Sequence, residues 1–177
     1  MAERKETEMR KAIILLGALV LALVTSVGAG ASPASVAVRG GEQFVPNALI
    51  QSTFRFSPGG VNAGSGQTLT WVDEDQVADE PHTITVVDEA DLPTDIEEVF
   101  ECQAPGEPCG DALAGHFGGG PPVLVIEVGG PGLDAPGDSL LLFPGESISA
   151  SVSAPAGSTL FYLCAIHPWM QGSITVG

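Results

Sequence analysis

Near the C-terminus, Cys164, His167 and Met170 place a thiol, an imidazole and a thioether at successive intervals of three residues. A thiolate with imidazole and a weak thioether sulfur is a soft donor set that suits copper. A trigonal copper site of that kind takes two histidines and one cysteine, with a long axial methionine, so one more imidazole is needed. The chain has only three histidines. One of them, His82, opens the run His82-Thr83-Ile84-Thr85-Val86-Val87, which alternates like a half-buried strand and follows Pro81. Taken singly, Cys164 fits a small hydrophobe buried at a strand end, and His82 fits a strand-end histidine with a satisfied ring. It is the four residues together that read as a ligand set.

The elements that must hold these residues follow an N-terminal segment of another kind. Arg4, Lys5, Arg10 and Lys11 precede an apolar run from Ala12 to Val27, and Ala29-Gly30-Ala31 supplies the small residues at which an export signal is cut. Residues 1–31 are therefore expected to be a signal peptide, or else an uncleaved N-terminal membrane anchor, and residues 32–177 a single domain. Four of the six basic residues and three of the 22 acids lie in that segment, which leaves 19 acids against Arg39 and Arg55, a net charge of −17. Nucleic acid is excluded as a partner, because phosphate binding needs clustered lysine and arginine. So acidic a surface serves solubility, or steers the protein toward a cationic redox partner.

The 23 glycines and 14 prolines argue for many turns. Short strands are expected at Ser35–Arg39, Thr53–Phe56, Thr68–Val72, His82–Val87, Val123–Val128, Ser139–Phe143, Ser147–Val152, Thr159–Cys164 and Ser173–Val176, with no amphipathic helix beyond the N-terminal segment. Strands at such intervals define an all-β fold, a Greek-key sandwich or barrel. Residues 88–138, acidic first, with room for a short helical turn in Asp88–Glu101, and then rich in Gly and Pro, form a long insert between the first-histidine strand and the C-terminal strands, expected as a surface lobe or lid. An exported chain with three cysteines divides them into one disulfide, Cys102–Cys109, and one thiolate left for metal. The alternative, a second metal site from Cys102, Cys109 and His116, has no evident fourth ligand, so His116 reads as an ordinary loop histidine.

The motif Cys164-x-x-His167-x-x-Met170, together with Phe56-Ser57-Pro58, Gly66-Gln67-Thr68-Leu69-Thr70-Trp71 and Pro81-His82-Thr83 upstream, resembles the cupredoxins of the plastocyanin and amicyanin group, with a ligand loop as short as that of amicyanin. The resemblance covers residues 50–87 and 139–177. It implies one type 1 copper held by His82, Cys164, His167 and Met170, single-electron transfer to redox protein partners, and a location outside the cytoplasm. It further implies that the Thr83 backbone amide donates to the cysteine sulfur, and that His167 is the electron port within an apolar patch of Ile166, Pro168 and Trp169. Five acids before His82, namely Asp73, Glu74, Asp75, Asp79 and Glu80, are expected to lower the potential or to mark a docking face.

Counts weigh against other functions. Multicopper enzymes need further histidines, and only His116 is left over. A closed four-ligand site has no open position for catalysis, so no enzyme activity is expected. A copper carrier or storage protein is the alternative, although such proteins use methionine-rich clusters and this chain has one methionine beyond its N-terminal segment.

Overall fold

The computed structural model describes residues 34–75 and 79–177. The expected signal or anchor segment, 1–31, lies outside the described residues. The described residues form twelve strands: β1 Ala34–Arg39, β2 Glu42–Val45, β3 Leu49–Ser52, β4 Arg55–Ser57, β5 Gly60–Ala63, β6 Thr68–Asp73, β7 His82–Val87, β8 Val125–Ile126, β9 Ser139–Leu142, β10 Ser147–Ser151, β11 Thr159–Leu163 and β12 Gln171–Val176. One sheet has the order β10-β6-β1-β4, the other β5-β12-β11-β7-β9-β8. The pairs β1–β6 and β5–β12 are parallel, and the rest antiparallel, as crossovers between two sheets require. The all-β sandwich expected from the strand spacing is thus present.

Alternation places the core. Val36 and Val38 of β1, Leu69 and Trp71 of β6, Ile84 and Val86 of β7, Leu140 and Leu142 of β9 and Tyr162 of β11 meet between the sheets, fully buried. Gly172 is needed at its place in β12, opposite Tyr162. A Cβ there would stand 2.3 Å from Tyr162 Cζ. Gly172→Ala is expected to cost about 1–3 kcal/mol through overpacking, measured by denaturant unfolding of the metal-free protein.

β7 and β9 are buried on both faces, and the reason is the insert. It forms two helices, α1 Ile96–Cys102 and α2 Pro108–Phe117, that cover the outer face of the larger sheet. Cys102, Cys109 and Ala112 pack there against Val87, Leu163 and Ala165. Helix α1 falls in the stretch where a short helical turn was expected, whereas α2 corrects the expectation of no amphipathic helix. They are short, α2 carries two glycines, and their contact face is built of small residues, so no strong apolar period marks them. Asp95 caps α1 by accepting from the Glu97 and Glu98 amides, and Pro108 opens α2 at a position where its missing N–H costs nothing.

Cys102 and Cys109 form the expected disulfide, joining the end of α1 to the start of α2. A Cβ on Gly110 would lie 2.0 Å from the Ala104 carbonyl oxygen, so the connection passes tightly against α2. Replacing both cysteines by serine is expected to lower stability by about 2 kcal/mol, the chain-entropy value for so short a loop, and to raise amide exchange chiefly in α1 and α2.

Other boundaries also shift. The expected strand Val123–Val128 narrows to β8, and Thr53–Phe56 moves to Arg55–Ser57, with Phe54 turned into the core. The hairpin β2–β3 has Phe44 opposite Ile50, 70% and 82% exposed, so it lacks the half-buried alternation that marks a strand. Its turn holds Asn47 at φ 60°, a left-handed conformation that asparagine tolerates. No helix among the described residues is long and apolar enough to cross a membrane.

Candidate metal centre

β11 ends at Leu163, and the next residue, Cys164, is buried between the sheets and the ligand loop. The loop closes on itself through three backbone bonds. Cys164 N–H donates to the Met170 carbonyl, His167 N–H to the Cys164 carbonyl and Met170 N–H to the His167 carbonyl, at 3.0, 3.1 and 2.8 Å. Tight turns of this kind hold residues three apart on one side of a loop, which brings Cys164 and His167 together. β7 pairs antiparallel with β11, and its first residue, His82, arrives at the same end of the sheet.

The three donor atoms converge. Cys164 Sγ lies 3.9 Å from His82 Nδ1 and 3.7 Å from His167 Nδ1, and the two Nδ1 atoms are 3.3 Å apart. A point in their plane is about 2.1 Å from all three, close to the ~2.0–2.3 Å bonds that imidazole nitrogen and thiolate sulfur make to a first-row metal. The donor set therefore fits a metal ion in both chemistry and spacing. Met170 is buried in the core cluster that contains Cys164.

The surroundings prepare this triad. Thr83 N–H donates to Cys164 Sγ at 3.3 Å, the bond that the resemblance implied, and Thr83 Oγ1 accepts from Ala165 N–H at 2.7 Å. Burial pushes the Cys164 thiol up, but hydrogen bonds from His167 and His82 outweigh it and bring the pKa down to about 6. Such a thiol is largely thiolate at neutral pH, the form that binds metal. For His82, burial acts to lower the pKa, but Cys164 and Asp75 outweigh it and raise the value above the ordinary one.

Asp75 was legible only as one of five acids. Its carboxylate, with a side chain 2% exposed, sits 2.7 Å from His82 Nε2. A carboxylate there selects the tautomer with the proton on Nε2 and leaves the Nδ1 lone pair facing Cys164 and His167. Three of the other acids are also engaged: Asp73 accepts from Gly145 and Asp75 amides, Glu74 pairs with Arg39, and Glu80 lies 3.7 Å from His167 Nε2. Gln103, between α1 and α2, donates to the Ala165 and Ile166 carbonyls at 3.0 Å each, so the insert grips the ligand loop directly. Neither contact has a sequence signature, because each joins residues with no fixed spacing.

The expected apolar patch is narrower than its residues suggested. Trp169 is 42% exposed and Ile166 half-buried, but Pro168 is buried and His167 only 5% exposed. Phe54 and Trp169 pack against the His167 ring at 4.8 and 5.2 Å, and their bulk closes it off from water. The second metal site considered for Cys102, Cys109 and His116 does not form, because both cysteines are consumed in the disulfide. His116 is not a loop histidine either. It lies in α2, is buried, and bonds Ser139 and the Val123 carbonyl.

A two-sheet Greek-key sandwich with a buried His-Cys-His cluster and a methionine at one end is the arrangement of a cupredoxin. No protein-family model and no curated protein matches the chain. Among solved structures, it is similar to a purple cupredoxin from Nitrosopumilus maritimus, at 19% identity over 81% of this chain and 99% of that one, with a TM-score of 0.43. Auracyanin A, a blue copper protein from Chloroflexus aurantiacus, has 19% identity over 82% and 100%, with a TM-score of 0.44. Amicyanin from Paracoccus versutus has 12% identity over 83% of each chain, with a TM-score of 0.40.

Proposed function

We propose that this chain is a type 1 copper protein that carries single electrons between redox partners outside the cytoplasm, with His82, Cys164, His167 and Met170 as the ligands. Bound there, copper would supply a one-electron couple. The observation that carries the reading is the convergence of one buried thiol and two imidazole nitrogens within 3.9 Å of one another, on a loop and a strand end already tied in place. Donors fixed in advance reduce the rearrangement that accompanies a change of charge.

Each residue has a part in this. The Thr83 amide holds the Cys164 sulfur and stabilises its negative charge. Asp75 holds the His82 ring, and Phe54 shields both imidazoles from water. Trp169, beside His167, offers the exposed apolar surface nearest the site, and electrons would enter and leave there. The excess of acids, with only Arg39 and Arg55 after residue 11, supports a partner with a cationic docking face. The signal-like N-terminal segment supports export. The closed donor set supports a carrier without enzyme activity.

Voltammetry of copper-loaded protein separates this reading from a copper carrier. A reversible one-electron wave, with copper retained through repeated reduction and oxidation, is expected. Release of copper on reduction would favour delivery of the metal instead.

A further inference from the structure

A row of buried side chains runs from the insert to the ligand loop. His116 Nε2 lies 2.8 Å from Ser139 Oγ, Ser139 Oγ 2.8 Å from Thr85 Oγ1, Thr85 Oγ1 2.9 Å from Thr83 Oγ1, and Thr83 Oγ1 accepts from Ala165 N–H at 2.7 Å. None of the four side-chain residues is more than 1% exposed. Ser139 and Thr85 are opposite each other in the β7–β9 register, on the face that α2 covers. The row ends beside Cys164, whose sulfur the Thr83 amide also holds.

Both ends of the row fix its direction. The Val123 carbonyl can only accept, so His116 Nδ1 carries a proton. In the neutral ring Nε2 is then an acceptor, and Ser139 O–H donates to it. Ser139 Oγ accepts from Thr85 O–H, Thr85 from Thr83 O–H, and Thr83 from the Ala165 amide, which can only donate. Every hydroxyl thus gives one bond and receives one. A proton on Nε2 would reverse the row. Ser139 would turn to Thr85 and Thr85 to Thr83, leaving the Thr83 oxygen with two donors and its own proton without its acceptor, one residue from the first histidine of the site.

We propose that His116 is a positioning residue for the metal centre: through Ser139, Thr85 and Thr83 it sets the hydrogen bonds that hold Ala165 and, with it, the Cys164 ligand. This rests on the reading of Cys164 as a copper ligand. Burial lowers the His116 pKa from its ordinary value, against a raising effect of the Val123 carbonyl, so the ring is neutral at neutral pH. Among the described residues no carboxylate lies within ion-pair distance of it. Asp138, next to Ser139 on β9, turns its carboxylate to the Val128, Asp134 and Ala135 amides. Glu127, after β8, accepts from Gly132, and Asp111 on α2 accepts from Gly106. Glu101 on α1 is exposed, and His82 at the far end of β7 is engaged with Asp75.

The test is a nuclear magnetic resonance pH titration, from neutral into acid, of the full chain loaded with copper(I), which has no unpaired electron. His116 ring signals give the midpoint of that residue, and the Ala165 amide is followed beside them. In the wild type the Ala165 amide is expected to shift with the His116 midpoint. His116→Gln, which keeps an acceptor oxygen but no titrating proton, is expected to lose that component. Thr85→Val, nearly isosteric, is expected to keep the His116 midpoint and lose its echo at Ala165. The copper potential is expected to change with pH across the same midpoint in the wild type and not in either variant. The same titration without metal reads the row even in a chain that fails to hold copper, so the two readings fail separately. Identical Ala165 curves in the wild type and Thr85→Val, or a wild-type amide indifferent to the His116 midpoint, would overturn the proposal.

Discussion

Cys164→Ser is expected to abolish the intense visible absorption of the copper-loaded protein completely and to weaken copper binding by more than the roughly 10–100-fold that loss of an outer-shell partner costs. The absorption arises from charge transfer between a thiolate and oxidised copper, and a hydroxyl at the same place supplies neither the soft sulfur nor a charge at neutral pH. Cys164 is the one free cysteine among the described residues, so no other thiol can substitute. Serine is smaller than cysteine and can still accept from the Thr83 amide, so the sandwich is expected to fold. Absorption spectra and a competitive copper titration, beside circular dichroism of the metal-free variant, check each part.

Asp75→Ala is expected to lower copper affinity by about 10–100-fold while leaving the four ligands in place. His82 Nε2 lies within the sandwich end with Asp75 at 2.7 Å. Removing the carboxylate takes the partner from a buried ring N–H and frees the tautomer that turns a proton toward Cys164 and His167. Asp75→Asn keeps an acceptor oxygen without charge, and its loss is expected to be smaller. Competitive titration against a copper chelator measures both. An unchanged affinity in Asp75→Ala would show that the ring is oriented by its packing alone.

The contrast between Cys164 and Asp75 shows what the sequence could disclose. Cys164, His167 and Met170 are close in the chain, chemically distinctive and scarce, and the strands that carry them alternate cleanly, so the ligand loop and the sandwich were legible together. His82 opens a strand, which alone says little, and it was the order of motifs resembling the cupredoxins that marked it. Asp75 was hidden among other acids because its meaning depends on which of them the loop buries. The helices of the insert were only partly legible, for a different reason. Their stability comes from small residues lying close against Val87, Leu163 and Ala165, and from a disulfide, rather than from a broad apolar stripe. His116 looked like a loop residue because its partners, Ser139 and Val123, are brought to it only by that same packing.

The most direct test of the central claim is the electron paramagnetic resonance spectrum of the wild-type chain after addition of one equivalent of copper(II). Narrow copper hyperfine splitting from all of the added metal is expected, because a covalent Cys164 thiolate draws spin density away from copper. Wide splitting of the kind given by nitrogen and oxygen ligands, or a spectrum of unbound copper, would contradict the assignment of His82, Cys164, His167 and Met170 as an electron-transfer centre.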